Sequence, residues 1–459
     1  LPVLQLQPAD TPARSLPARI FLPQSPTALL VRAVAAAFLI RMAIVALVFR
    51  DLPDAAHNFE QFGWELAWTA RTIALGHGFG SPFWPLTGPT ALVPPGYPYL
   101  LASIFQIFGL FSLHSAFVIL TLQALVSALT CIPIYAIARR VATPRIASCA
   151  AWAWVIYPFS IYYSTVVWEW ALTAFLFTTC LAILLRIHTI ERTGVWIAFG
   201  LLYGLTALVN PAVLSVLPFL FVVALLKRAR DHRPWLLKAA LTTLTGLAVL
   251  APWTLRTYRT MHVLVPIRDN YWLEFYAGNS GDTFESNVAW VHPASNPVEM
   301  QAYERMGEVA YLAQKHALAA DFVTHHTGWF AVATLRRFVR YWTGFWSFSR
   351  RYLHKEPLDV PNVFFCSAIT VFMLRGLLRL WRAGCGETLP GGVPSIEVLP
   401  SKTLTNPALP FALLLAVFPI TYYFSHASMD YRQPIEPAIV ILAVIGIFGL
   451  GSVLPPDPV

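Results

Sequence analysis

Long apolar runs separated by short basic clusters set the pattern of this chain. The runs are Thr27–Phe49, His114–Ala138, Arg145–Thr165, Val167–Leu185, Val195–Val209, Ala212–Leu226, Trp235–Leu255, Val360–Leu380, Pro407–Phe424 and Ile435–Val453. A helix needs roughly 20 apolar residues to cross about 30 Å of hydrocarbon. Only helices and closed barrels satisfy their own backbone hydrogen bonds there. The pattern therefore predicts an all-α polytopic membrane protein with about ten transmembrane helices.

Basic residues in short loops assign the orientation. Arg14 and Arg19 precede the first run, and Arg139, Arg140 and Arg145 follow the second. Arg186 and Arg192 follow the fourth, and Lys227, Arg228, Arg230 and Arg233 the sixth. Arg375, Arg379 and Arg382 close the eighth. All fall on one side, the cytoplasmic one, if Gly96–Leu110 lies at the interface or dips in without crossing. Residues 1–26 then form a cytoplasmic tail. Residues 27–256 form a transmembrane core that includes a first extracytoplasmic loop, 50–111. Residues 257–359 form a second, mostly helical extracytoplasmic loop region, and 360–459 carry the C-terminal spans. Loops of that length exceed what joining helices requires, so they are expected to do work outside the bilayer.

Composition sharpens this picture. Of 459 residues, 57% are hydrophobic and 12% charged, against roughly 25% charged in soluble domains. The net charge of +9 is assigned to cytoplasmic helix ends and not to nucleic acid. The five cysteines form no C-x-x-C pair and none lies in a segment placed outside the cytoplasm, which argues against a disulfide framework or a thiolate metal site. No internal repeat of the kind that marks transporters is visible.

Projected at about 100° per residue, His57–Leu75 gathers Phe59, Phe62, Leu66, Ala70 and Ile73 on one face, with Glu65 and Glu60 on its two flanks. This predicts an amphipathic helix lying on the membrane, anchored by Trp64, Trp68 and Trp84. The turn-rich "GHGFGSPF" and "TGPTALVPPGYP" follow it. A stiff loop beside an acid reads as a built site, with solvated surface acids as the competing reading.

The order of "FGWELAWTARTIALGHGFGSPF", "VVWEWALTAF", "LTALVNPAVL", "PWTLRTYRTMHVLVPIRDNYWLEFYAGN", "HPASNPVEMQAYERMGEVAYLAQ" and "MDYRQPIEP" resembles bacterial glycosyltransferase family 39-type proteins. These belong to the GT-C superfamily, with the protein O-mannosyltransferases and lipid A aminoarabinose transferases. The resemblance covers roughly Ala28 to Pro437. It implies an inverting transfer of a sugar from a polyprenyl-phosphate carrier to a glycan, lipid or protein acceptor. It also implies a bacterial inner-membrane location, an extracytoplasmic active site and a catalytic carboxylate in the first loop. Many members carry an adjacent Asp-Glu pair there, but Phe62 and Gly63 stand at the matching positions of this chain. The acids available are Asp51, Asp54, Glu60 and Glu65. Glu65 is favoured as base, being the closest acid to the Gly-rich turn.

Such chemistry also needs cations for the leaving phosphate. Arg256, Arg259, Arg268 and Arg432, with His426, are the candidates at the outer helix ends. Capping of the preceding helix competes for Arg256 and Arg259. A salt bridge to Asp430 or Glu436, or a lipid headgroup, competes for Arg432. Glu169 is a second candidate acid that could orient a substrate or pair with an arginine such as Arg256. Glu299, Glu304 and Glu308 read as a solvated helix face, and Arg41 as a snorkelling residue. His325 and His326 lack the further ligands a zinc site needs, so no metal site is assigned. No cofactor is expected, and metal dependence is left open. A transporter or flippase of lipid-linked glycans, or a non-catalytic glycan-assembly subunit, is the alternative.

Overall fold

The computed structural model describes residues 26–48, 63–84, 86–281, 291–345, 359–386, 404 and 406–450. Asp51, Asp54 and Glu60, the tail before residue 26 and most of the linker after Gly386 lie outside the described residues. The chain runs from α1 (Pro26–Val48) to α2 (Trp64–Ala74) and α3 (Gly96–Phe108). The central bundle follows as α4 (Leu113–Leu129), α5 (Cys131–Val141), α6 (Pro144–Ile156), α7 (Pro158–Tyr162), α8 (Trp170–Ile187), α9 (Thr193–Val209), α10 (Leu217–Arg230) and α11 (Leu236–Met261). The second loop region contributes α12 (Tyr271–Gly278), α13 (Pro297–Met306), α14 (Glu308–His325) and α15 (Thr327–Thr343). The chain closes with α16 (Asp359–Gly384), α17 (Leu409–Val417), α18 (Ile420–Phe424) and α19 (Glu436–Phe448).

Among the described residues, five helices are long and apolar enough to cross a membrane: α1, the continuous α4–α5, α8, α11 and α16. Shorter apolar helices, α9, α17–α18 and α19, stand with them. Several runs expected as single spans are interrupted. The third breaks at Tyr157, because Pro158 has no N–H for the carbonyl one turn back. Arg41 repairs that break. Its guanidinium donates to Trp154 O at 3.2 Å and Val155 O at 3.3 Å, and to the hydroxyls of Ser127 at 2.8 Å and Ser160 at 2.7 Å. The expected snorkelling is therefore wrong: Arg41 is fully buried and joins α1 to α4, α6 and α7, since the freed carbonyls are better partners than a distant interface. Helices α16 and α19 cross backbone to backbone. A Cβ on Gly376 would stand 1.9 Å from Leu442 O, and one on Gly446 1.9 Å from Phe372 O.

The two long loops fold against each other. Thr90 and Ala91 of the first are gripped by the second: Ala91 N–H donates to Glu308 Oε1 at 2.6 Å, Asp269 N–H to Ala91 O at 3.0 Å, and Thr90 Oγ1 to Glu308 Oε2. Phe83 and Leu92 pack with Leu273, Tyr303, Tyr311 and Leu312. Glu308 is consequently buried, not part of a solvated face. Glu299 is half-buried and bonded to Tyr311 and Lys315, and only Glu304 is exposed as expected.

Helix α8 defines two ends of the bundle. At its C-terminal end Arg228 donates to His188 O and Glu191, which also takes Arg233 and Lys238. Its N-terminal end, about 27 Å away at 1.5 Å per residue, opens on the loops.

Candidate active site

Helix α2 carries Glu65 in its first turn. Gly63 starts it at φ 98°, and a Cβ there would lie 2.6 Å from Val167 O, so the N-terminus sits directly on the segment leading into α8. The helix does not lie on a surface as its amphipathic pattern predicted. Leu66, Ala67, Trp68, Thr69, Ala70 and Thr72 are buried along with Glu65, because the two loops and α3 enclose it. Of the three tryptophans, only Trp84 is largely exposed. Glu65 Oε1 meets His292 Nε2 of the second loop at 3.1 Å. His292 is held edge-on by Trp64 and Phe83, with ring centroids 6.1 and 5.5 Å away. Burial works against the charged imidazolium, but the Glu65 hydrogen bond and the charges of Glu65 and Glu274 outweigh it and raise the His292 pKa.

Arg268 reaches the same space by a reversal of the chain. His262 ends α11 at φ 57°, and the following segment runs back along that helix. Thr257 Oγ1 holds Val265 O at 2.8 Å, Thr254 Oγ1 holds Pro266 O at 2.9 Å, and Trp253 Nε1 holds Ile267 O at 2.6 Å. Arg268 follows, half-buried, and Asn270 opens α12. On α12, Glu274 Oε2 stands 3.7 Å from His426 Nδ1. Burial alone would raise Glu274, yet His426, then His292 and Arg268, lower it. Nearby Asp430 is raised by burial. Arg337 locks this corner by donating to Asn279 Oδ1 at 3.1 Å, Phe424 O at 3.1 Å and Gly278 O.

Glu169 precedes α8 and is buried. Asn210 Nδ2 donates to its Oε1 at 3.5 Å, while Oε2 has no hydrogen-bond partner among the described residues. Asn210–Pro211 thus borders the site as well.

These groups line two joined chambers. The larger, about 480 Å³, is walled by Trp64, Glu65, Tyr162, Tyr163, Trp168 and His292, among others. The smaller, about 290 Å³, adds Asn210, Ser215, Tyr271, Thr421, Tyr422 and Ser425. Glu169, Arg268, Asn270, Glu274, Asp430 and Tyr431 border both. Of the residues singled out in the sequence, Glu65, Glu169, Arg268 and His426 are brought together here. Among the described residues Arg268 is the only arginine or lysine in either lining, and its guanidinium makes no hydrogen bond or ion pair to any of them.

The other cations are placed elsewhere. Arg432 is fully buried against Glu436, Nε to Oε1 at 2.9 Å, and donates to Tyr341 O at 3.1 Å. Its competing reading, the salt bridge, is the one realised. Arg256 donates to Thr90 O at 2.7 Å and to Phe79 O, fastening the first loop, not Glu169. Arg259 is exposed on the last turn of α11, outside both linings. The sequence reading missed His292, Glu274 and Asp430 as site residues. Their signal was present in "HPASN", "NYWLEF" and "MDYRQP", but only the fold shows that these segments meet. Among the described residues no three His, Cys, Asp or Glu side chains form a group that could hold a metal ion.

Residues 92–255 match the family described as dolichyl-phosphate-mannose-protein mannosyltransferase. The match includes Glu169 but stops short of Glu65 on one side and Arg268 on the other. Comparison with curated proteins gives no match. Among solved structures, the chain is similar to the Archaeoglobus fulgidus oligosaccharyltransferase AglB in complex with an inhibitory peptide and a dolichol-phosphate. The TM-score is 0.52 at 15% identity, over 92% of this chain and 50% of that one. It is similar also to the Archaeoglobus fulgidus oligosaccharyltransferase tethered with an acceptor peptide containing the NVT sequon, with TM-score 0.51 at 14% identity, over 92% and 49%. The chain thus spans about half the length of the solved structures it matches, and at this identity the likeness is one of fold. Residues 92–255, the centre of the bundle, are thus similar to the dolichyl-phosphate-mannose-protein mannosyltransferase family, and the chain built around them shares its fold with the oligosaccharyltransferase.

Proposed function

We propose that this protein is an inverting glycosyltransferase that moves a sugar from a polyprenyl-phosphate carrier to an acceptor hydroxyl. The reading is carried by one observation: the buried carboxylate of Glu65 lines the same cavity as the guanidinium of Arg268, which has no hydrogen-bond or ion-pair partner among the described residues. In a single displacement, the acceptor oxygen attacks the anomeric carbon while the carbon–oxygen bond to phosphate breaks. The bonding pair leaves with the phosphate, and Glu65 takes the acceptor's proton. Arg268 meets the departing charge with a planar set of donors suited to phosphate oxygens. The aromatic wall of Tyr162, Tyr163 and Trp168 offers surface for a ring or a prenyl segment. The smaller chamber, with Asn210, Ser215, Asn270 and Thr421, offers the hydrogen-bonding groups a sugar requires.

The acceptor class stays glycan, lipid or protein. The proposed setting is about ten crossings of a bacterial inner membrane, with the cavity at the extracytoplasmic face. Two features support that orientation: the basic clusters lie at the far end of α8, and the long loops surround the cavity.

The test is transfer of labelled sugar from a synthetic polyprenyl phosphate by the purified protein. Glu65→Gln should lower kcat by about 10²–10⁴-fold with folding intact. Arg268→Ala should lower kcat and weaken donor binding together. Wild-type rates in Glu65→Gln would overturn the base assignment, and absence of transfer by the intact protein with every acceptor class would overturn the activity. With Arg268 carrying the phosphate charge, transfer should survive a chelator; loss with a chelator and rescue by a divalent ion would move that role to a metal.

A further inference from the structure

His292 comes from a segment that the family match does not reach. Its surroundings fix the ring on every side. Trp64 and Phe83 flank it edge-on. Ala294 N–H approaches Nδ1 at 3.3 Å, which leaves the proton of the neutral ring on Nε2. That nitrogen faces Glu65 Oε1 at 3.1 Å. An imidazolium would also carry a proton on Nε2, so Glu65 receives a hydrogen bond in either charge state. One carboxylate oxygen of Glu65 is thereby occupied, and the other is left for the acceptor. The charged groups facing the pair are Glu274 of α12, then His426 and Arg268 across the cavity, with Glu169 and Asp430 beyond.

We propose that His292 is a positioning residue for the base: its Nε2–H orients the Glu65 carboxylate so that the other oxygen meets the acceptor. This rests on the reading of Glu65 as the base. The hydrogen bond holds the carboxylate in one orientation, so its second oxygen is presented to the acceptor in a fixed geometry.

The test compares kcat and donor KM of His292→Phe, His292→Gln and Glu65→Gln with the full-length protein and a synthetic polyprenyl-phosphate sugar. Phenylalanine keeps an aromatic ring between Trp64 and Phe83 but cannot donate. It should lower kcat by roughly 10- to 100-fold with the donor KM unchanged. Glutamine restores an N–H donor and should return kcat toward the wild-type value. If His292→Phe folds and keeps the wild-type kcat while Glu65→Gln is inactive, His292 only fills space and the proposal fails, with the base reading intact. If Glu65→Gln is itself active, the base reading fails instead. Should His292→Phe not fold, His292→Leu takes its place with the same two outcomes.

Discussion

Two acids of the second loop show how neighbours decide a carboxyl's state. Glu274 lies near His426, His292 and Arg268, and is lowered despite its burial. Asp269 has burial and the carboxyl of Glu308 beside it, and both raise it. The Asp269–Glu308 pair therefore retains a proton that two separate acids in the unfolded chain would release above about pH 4. In that range the native state binds more protons than the unfolded one, so this contribution to stability falls as pH rises. The consequence is local, because Asp269 and Glu308 are the groups that hold Thr90 and Ala91. Asp269→Asn supplies a permanent donor to Glu308 in place of the shared proton. Its melting temperature should exceed that of the wild type at alkaline pH and approach it at acidic pH. Thermal melts of both proteins across that range check this, and parallel pH dependences would refute it.

At the level of helices, close crossings impose limits on side-chain size. The contact of α16 with α19 depends on Gly376 and Gly446, where an added Cβ meets carbonyl oxygens of the partner helix. Backbone cannot rotate away as a side chain can. Gly376→Leu should therefore destabilise the protein by about 1–3 kcal/mol or more, the range for forced overpacking. Gly194→Ala, near the start of α9 with nothing within 4 Å of its Cβ position, should be neutral or slightly stabilising. Unfolding in detergent distinguishes the two.

The same scale explains what could be read along the chain. Apolar length located most helices, from Pro26–Val48 to Glu436–Phe448, because burial in hydrocarbon needs only composition. Periodicity found α2 but assigned it to a surface, since a flank that is polar for a site looks like a flank that is polar for water. Glu65, Glu169, Arg268 and His426 could be proposed from residue type and order. Arg432 and Arg256 could not be told apart from them, because the partners that occupy their guanidinium groups, Glu436 with Tyr341 and Phe79 with Thr90, are set by tertiary contacts. His292 and Glu274 depend on a meeting of loops more than 200 positions from Glu65, which no local pattern encodes.

For the molecule as a whole, charge and chemistry are segregated. One end of α8 gathers Arg139, Arg140, Arg186, Lys227, Arg228 and Arg230 at the last turns of α5, α8 and α10. The other end carries the cavity and the two loops, whose length places their own basic residues outside the rule that orients short loops. The cavity end should therefore face away from the cytoplasm, where a lipid-linked sugar can be presented from the outer leaflet. Cys385 is an exposed native thiol just past the C-terminus of α16, beyond Arg382. Ser295 is exposed in the second loop, three residues after His292. In intact cells a membrane-impermeant maleimide should label Ser295→Cys in a Cys385→Ser background, and should label native Cys385 only after permeabilisation. The opposite pattern would turn the protein over. The active cavity would then face the cytoplasm, and the donor would have to be presented from the inner leaflet, with the geometry around Glu65 and Arg268 unchanged.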